Sequence, residues 1–360
     1  MAYEIGYQAI WLLSKLIVFE EWKIMTIQVN FFCKDECEDR NMIISALEAL
    51  KNEFPHVLHV IDVSKDPVLA EDFQQKGPIL DIGTYRIIKP QDSQEIRYGL
   101  KKATERYYQA QAKGNEALVK RLTEPLQLKN SDRFSYWFST HYMLFLNSFV
   151  FLYLFFAFLA PSLMKIGLER PARVIYRTYS VLCHQLAYRS FFLFGEQVYY
   201  PRELAGVEGV ITYGQATGYD EADMISARQF LGNESMGYKL ALCQRDIAIY
   251  GAILLFGILF SITDNRIKPL PWTLWILLGL VPIGLDGFSQ LLGQSGLGIL
   301  DWIPIRESTP FLRVITGGLF GFATAWFGYP YVEESVEESR KDLQKKKAIL
   351  QQIKVNKENF

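Results

Sequence analysis

The chain has 360 residues, enough for two domains. A formal net charge of −1 gives no electrostatic footprint for nucleic acid, and four cysteines are too few for a secreted disulfide scaffold. Charged residues make up 21% of the whole, but they are segregated: the first half is charged throughout, whereas apolar runs dominate residues 142–331.

Residues 5–22 hold apolar clusters around Trp11 and Val18, preceded by Glu4 and closed by Glu20 and Glu21. A signal peptide needs a basic start and a small-residue cleavage site, and a membrane span needs about 20 apolar residues. Residues 1–24 therefore read as an amphipathic helix lying on the membrane or on the next domain.

Residues 26–32 alternate and are rich in strand formers. Cys33 and Cys37 follow, and then a helical pattern over 38–53 carries Ile43, Ile44, Leu47 and Leu50 at apolar positions. Residues 57–63 read as a second strand, and a short helix follows Pro67. Residues 77–83 lead from Gly77-Pro78 into a hairpin with 85–88, and 91–111 close the unit as a helix. At these residues the segment 25–111 resembles a small glutaredoxin-like domain with the thioredoxin fold. The resemblance implies a dithiol of Cys33 and Cys37, with Cys33 as nucleophile at a helix N-terminus, where a thiol's pKa is lowered. It also implies a cis-proline at Pro78. The spacing departs from the family's Cys-x-x-Cys by one residue, and Asp35 and Glu36 would raise a neighbouring thiol's pKa. Residues 112–141 read as a polar linker.

Four later segments are apolar enough to span a bilayer: 142–164, 247–262, 272–292 and 309–329. Gly317, Gly318 and Gly321 in the last allow close helix contact. The expected architecture is thus an α/β thioredoxin-like soluble domain followed by an all-α membrane bundle of four helices, or five if residues 174–194 form another. Arg266 and Lys268 in the short loop 264–271, and the lysines and arginines of the tail 332–360, put those segments on the cytoplasmic side. A multi-pass protein of the cytoplasmic membrane results, with its amino-terminal domain and helical tail inside and the loop 165–246 outside. The tail can dock on the soluble domain or pair with another copy.

This topology gathers the polar groups at one end of the bundle. Cys183, His184 and Arg189 lie in the outer loop, and Cys243, Arg245 and Asp246 open the second span. Asp286 and Gln290, four apart and so on one helix face, lie in the outer third of the third. Glu307, Ser308 and Arg313 enter the fourth. Ionisable groups within spans are costly and are functional candidates, and the similar depth of Asp286 and Arg313 predicts an ion pair.

The elements Cys183-His184-Gln185 with Arg189-Ser190-Phe191, Cys243-Gln244-Arg245-Asp246, Asp286-Gly287 with Gln290, and Glu307-Ser308 with Arg313 resemble an uncharacterised family of small prokaryotic membrane proteins, domain of unknown function 2085, over residues 175–326. That resemblance implies a shared membrane site and brings no reaction with it.

Three chemistries fit the outer groups. Cys183, His184, Cys243 and Asp246 offer a ligand set for zinc or another late first-row transition metal, although adjacent residues on a helix point apart. Cys183 and Cys243 could instead form a redox-active disulfide serving a redox partner. Arg189, Arg245 and Arg313 could clamp an anion or a lipid headgroup, for binding or for transport.

Overall fold

In the computed structural model the described residues are 25–34, 37, 39–73, 77–294 and 306–358. The amphipathic helix expected over residues 1–24 lies outside them, as do Asp35 and Glu36. The chain divides into two compact units: residues up to Tyr136 with those from Ser339 onward, and Trp137–Glu338.

In the first unit β1 (Ile27–Cys33) is followed by α1 (Arg40–Leu50), β2 (His56–Asp62), α2 (Pro67–Phe73), β3 (Ile79–Ile82), β4 (Tyr85–Ile88) and α3 (Ser93–Ala112). The sheet order is β2-β1-β3-β4, with β1 and β2 parallel and the other pairings antiparallel. A parallel pair needs a crossover, which α1 supplies. The tight β3–β4 turn uses Gly83 at φ 58°, in the left-handed region open to glycine. Ile27, Val29 and Phe31 of the central strand pack with Ile43 and Leu47 of α1 and Ile96 and Leu100 of α3. The alternation and helical spacing of the sequence are realised here.

Two features correct the sequence reading. The described residues contain no cis peptide bond, so Pro78 is not a cis-proline. It leads into β3 with its carbonyl accepting from the Lys89 N–H at 2.7 Å, and the ordinary preference for trans prevails. The segment read as a linker holds α4 (Glu116–Thr123), whose Leu122 is fully buried in the sheet's core. Gln28 Nε2 ties its end by donating to the Thr123 carbonyl at 2.9 Å. The tail also belongs to this unit: Ala348 is buried among Phe32, Ile61, Val63, Leu69, Phe73 and Ile79. Gln352 accepts from the Asp62 N–H and donates to the Asp62 carbonyl, both at 2.8 Å, and Asn356 donates to the Val60 carbonyl at 3.0 Å. Strand β2 is an edge of the sheet, and these amides satisfy backbone groups that no neighbouring strand reaches.

The second unit begins within α5 (Asn130–Lys165). The outer loop of the sequence reading is a folded cap: α6 (Glu169–Tyr179), β5 (Ser190–Leu193), α7 (Tyr213–Thr217), α8 (Met224–Gln229), β6 (Gly232–Asn233) and β7 (Gly237–Cys243). Its antiparallel sheet has the order β5-β7-β6, over a core that includes Tyr188, Phe192, Tyr200 and Tyr213. No fifth span forms over 174–194, because α6 has 11 residues and ends at Tyr179.

From the cap the chain enters α9 (Gln244–Ile262), α10 (Trp272–Leu292) and α11 (Pro310–Glu358). Among the described residues, these three and α5 are long and apolar enough to cross a membrane. Their outward faces are apolar, with Phe149, Leu255, Leu285 and Phe311 all exposed, as a lipid-facing bundle requires. A π-helical turn, Ile276–Leu280, widens α10 just before Pro282, where the missing N–H interrupts the ordinary bonding pattern. A Cβ at Gly317 would lie 2.8 Å from the Arg245 carbonyl oxygen, and one at Gly321 would lie 2.8 Å from the Ile249 Cα. These two glycines, one helical turn apart, let α11 meet α9 backbone to backbone. Gly318, between them, faces open space.

Candidate functional site

Helices α9 and α11 begin at the end of the bundle where α10 finishes, so the polar groups at those three termini meet. Strand β7 delivers Cys243 to the start of α9, where its Sγ caps the helix by accepting from the Asp246 N–H at 3.5 Å. Cys183 follows the last turn of α6, its N–H held by the Tyr179 carbonyl at 2.9 Å, and is buried. The ligand atoms of Cys183, Cys243 and Asp246 all lie within 4.8 Å of one another. The Cys243 thiol donates to Cys183 and draws the Cys183 pKa below its ordinary value, against burial and the Asp246 carboxylate. The same hydrogen bond, with burial, drives Cys243 up.

His184 does not join this group. It is exposed and lines a separate surface cavity with Arg173, Arg177 and Arg228. The reason is local: Gln185 takes a left-handed φ of 52°, and its buried amide donates to the Tyr176 and Ala241 carbonyls at 3.0 and 2.8 Å. Once Gln185 is anchored inward and Cys183 is buried, the residue between them turns out. Lys239 pins the same loop. It is fully buried in β7, donates to the Gln185 and Arg228 carbonyls at 2.6 and 2.7 Å, and burial draws its pKa down to about 7.

Beside the thiols, two buried carboxylates divide five arginines. Asp286 accepts from Arg245, from Arg306 Nη2 at 2.6 Å and from the Ser308 hydroxyl at 2.8 Å. Glu307 accepts from Arg189 at 2.8 Å, Arg202 at 3.1 Å and Arg313 at 2.6 Å. The expected Asp286–Arg313 pair is thus not formed. Residues 306–308 lie between the two helices and send alternate side chains to different partners, so that Arg306 and Ser308 take Asp286 and Glu307 takes Arg313. Gln290 sits on the Asp286 face as its spacing required, but donates to the Asp286 backbone carbonyl at 2.8 Å. Gln244 links the cluster to the cap, accepting from Arg313 at 3.3 Å and donating to the Ser190 carbonyl at 3.1 Å. Burial opposes the charged form of Glu307, yet Arg189, Arg313 and Arg202 outweigh it and hold its carboxyl below the ordinary value. Arg202 and Arg306 escaped the sequence reading. Arg306 was legible as the neighbour of Glu307, whereas Arg202 lies in the cap at no recognisable spacing.

The dithiol of the first unit is built differently from its expectation. Cys33 closes β1 and is buried, while α1 starts at Arg40, beyond Cys37 and not at Cys33 itself. Burial first, and then the adjacent Cys37, push Cys33 up to about 12 against the pull of Arg40. Cys33 packs in the core of the sheet, and burial and Cys37 both favour its neutral form.

These features define a membrane protein of several apolar helices, with a capped polar site at one end of its bundle. Residues 234–327 match the family described as Predicted membrane protein (DUF2085). That stretch contains Cys243, Arg245, Asp286, Glu307 and Arg313; Cys183 and Arg189 lie before it. The chain is also similar to Uncharacterized protein MJ1492 of Methanocaldococcus jannaschii, at 26% identity over 205 residues, covering 54% of this chain and 95% of that protein. No solved structure matches the chain.

Proposed function

We propose that the protein is a multi-pass membrane protein with a transition-metal centre at Cys183, Cys243 and Asp246. The observation that carries this reading is the approach of three potential ligand atoms to within 4.8 Å of one another, with Cys183 buried and Cys243 and Asp246 half-buried. Two thiolates and a carboxylate suit zinc or another late first-row metal, and three protein ligands leave one position open for water or substrate. Positive-inside counting supports a cytoplasmic α/β unit and tail, with the metal end of the bundle on the opposite side. The strand order β2-β1-β3-β4 supports a thioredoxin-like ancestry for the α/β unit, in which Cys33 lies in the core and Cys37 packs against it.

Elemental analysis of the purified protein beside Cys243→Ser tests the centre. About one equivalent of metal, lost in the variant, is expected; its absence from both preparations would sink the reading. A second reading rests on the hydrogen-bond contact between the two thiols. Oxidation would join the sulfurs and pass two electrons and two protons to a quinone-type acceptor. A metal-free protein with two fewer titratable thiols than its reduced form would favour it.

A further inference from the structure

Independently of the thiols, the arginine cluster carries more positive charge than its partners balance. Among the described residues, Arg189, Arg202, Arg245, Arg306 and Arg313 face Asp286 and Glu307, an excess of three charges, or two when Asp246 is counted with them. Both carboxylates are already crowded, Glu307 by three guanidiniums and Asp286 by two guanidiniums and a hydroxyl. Neither has the geometry to absorb the remaining donors of five guanidiniums, each of which carries five N–H groups. The Nε atoms of Arg202, Arg245 and Arg306 are buried and have no hydrogen-bond partner among the described residues. Arg189 and Arg202 both lie over a single ring, that of Tyr188, at 5.7 and 5.3 Å from its centroid. Packing like charges this closely beside a bilayer is costly unless an anion joins them.

We infer that this cluster is a binding site for a phosphate group, held by Arg189, Arg202, Arg245 and Arg306 with Asp286 and Glu307 as the spacers that set the guanidinium forks. The charge argues for phosphate over a carboxylate, since a phosphate monoester brings close to two negative charges and three acceptor oxygens. Planar guanidinium forks match those oxygens in pairs, which a cluster of lysines would not do. The four arginines are partly exposed, between 19% and 38%, whereas Arg313 beneath them is at 4%. Arg313 thus serves as the floor of the site, fixed by Glu307 and Gln244. The starts of α9 and α11 add the positive ends of two helix dipoles to the same region. The phosphate can come from a lipid headgroup in the adjacent leaflet or from free phosphate in solution.

The test uses the full chain in detergent, with binding followed calorimetrically at constant ionic strength. Inorganic phosphate and dioctanoyl phosphatidate are the probes, and dioctanoyl phosphatidylcholine is the zwitterionic control. Saturable binding of either probe is expected, weakened about tenfold or more in Arg306→Gln and in Arg202→Gln, because each removes a charge-assisted contact. Binding of phosphate alone identifies the free anion, and tighter binding of phosphatidate that displaces phosphate identifies a lipid headgroup. Failure of both probes to bind the wild-type protein overturns the inference, as does undiminished binding in both variants. Arg306→Lys and Arg202→Lys keep the charge while removing the fork, and stand in for any glutamine variant that fails to fold. Metal content is measured on the same preparations and is expected to be unchanged, which separates this site from the thiol centre.

Discussion

Gly321 is the most direct probe of how the bundle holds its site. Alanine there would place a Cβ 2.8 Å from the Cα and the carbonyl carbon of Ile249, and closer still to its carbonyl oxygen. Carbon atoms rest comfortably at about 3.5–4.0 Å, so α9 and α11 must separate by about 1 Å. Because the obstructing atoms are backbone, no side-chain rotation relieves the contact. Overpacking of this kind costs about 1–3 kcal/mol. For a unit of this size that lowers the melting midpoint by roughly 2–4 °C per kcal/mol. Helix propensity pulls the other way, since replacing glycine by alanine inside a helix gains about 0.5–1 kcal/mol. Gly318→Ala isolates that gain, because its Cβ meets nothing within 4 Å. Thermal unfolding in detergent should therefore show Gly321→Ala below the wild type and Gly318→Ala at or above it. If the two variants melt together, the backbone contact between α9 and α11 is not what joins these helices.

Two further outcomes are expected. With its pKa pushed up to about 12 against an ordinary 9.0, Cys33 should be alkylated at pH 8 about a thousandfold more slowly than a free thiol in the native protein; iodoacetamide kinetics read by peptide mass spectrometry would expose a rapid reaction as a refutation. Lys239 has its pKa drawn down from 10.5 to about 7 by burial, so the unfolded chain binds more protons between those values. The stabilising contribution of neutral Lys239 is present in full above pH 10.5 and is lost as pH falls through 7; denaturant titrations of the wild type and Lys239→Met should show the variant with the flatter pH dependence.

The spans were legible because a bilayer imposes length and composition on a helix irrespective of tertiary contacts. The strands and helices of the α/β unit were legible for a similar reason, since Val29, Phe31, Ile43 and Leu47 follow the periods that burial on one face demands. The site was legible as a set of residues but not as a set of contacts. Asp286 and Arg313 share a depth, yet Arg245 and Arg306 approach Asp286 from chain segments that sequence spacing does not relate. His184 looked like a ligand because it adjoins Cys183, and only the left-handed turn at Gln185 aims it elsewhere. Arg202 was invisible because it lies in the cap's irregular segment between β5 and α7, where no periodicity relates it to Glu307.

The docking of the tail on β2 also bears on how the protein is made. Asp62 and Gln352, which bond through both backbone groups of the strand residue, are 290 positions apart, and every membrane helix is translated between them. While the ribosome is still delivering α9 and α10, the apolar cluster of Phe32, Ile61 and Leu69 has no Ala348 to cover it, and the edge of β2 is open to any other extended chain. The α/β unit, although translated before the membrane helices, is therefore finished after them, and a chain cut short before Ala348 leaves an exposed apolar cluster and an open sheet edge.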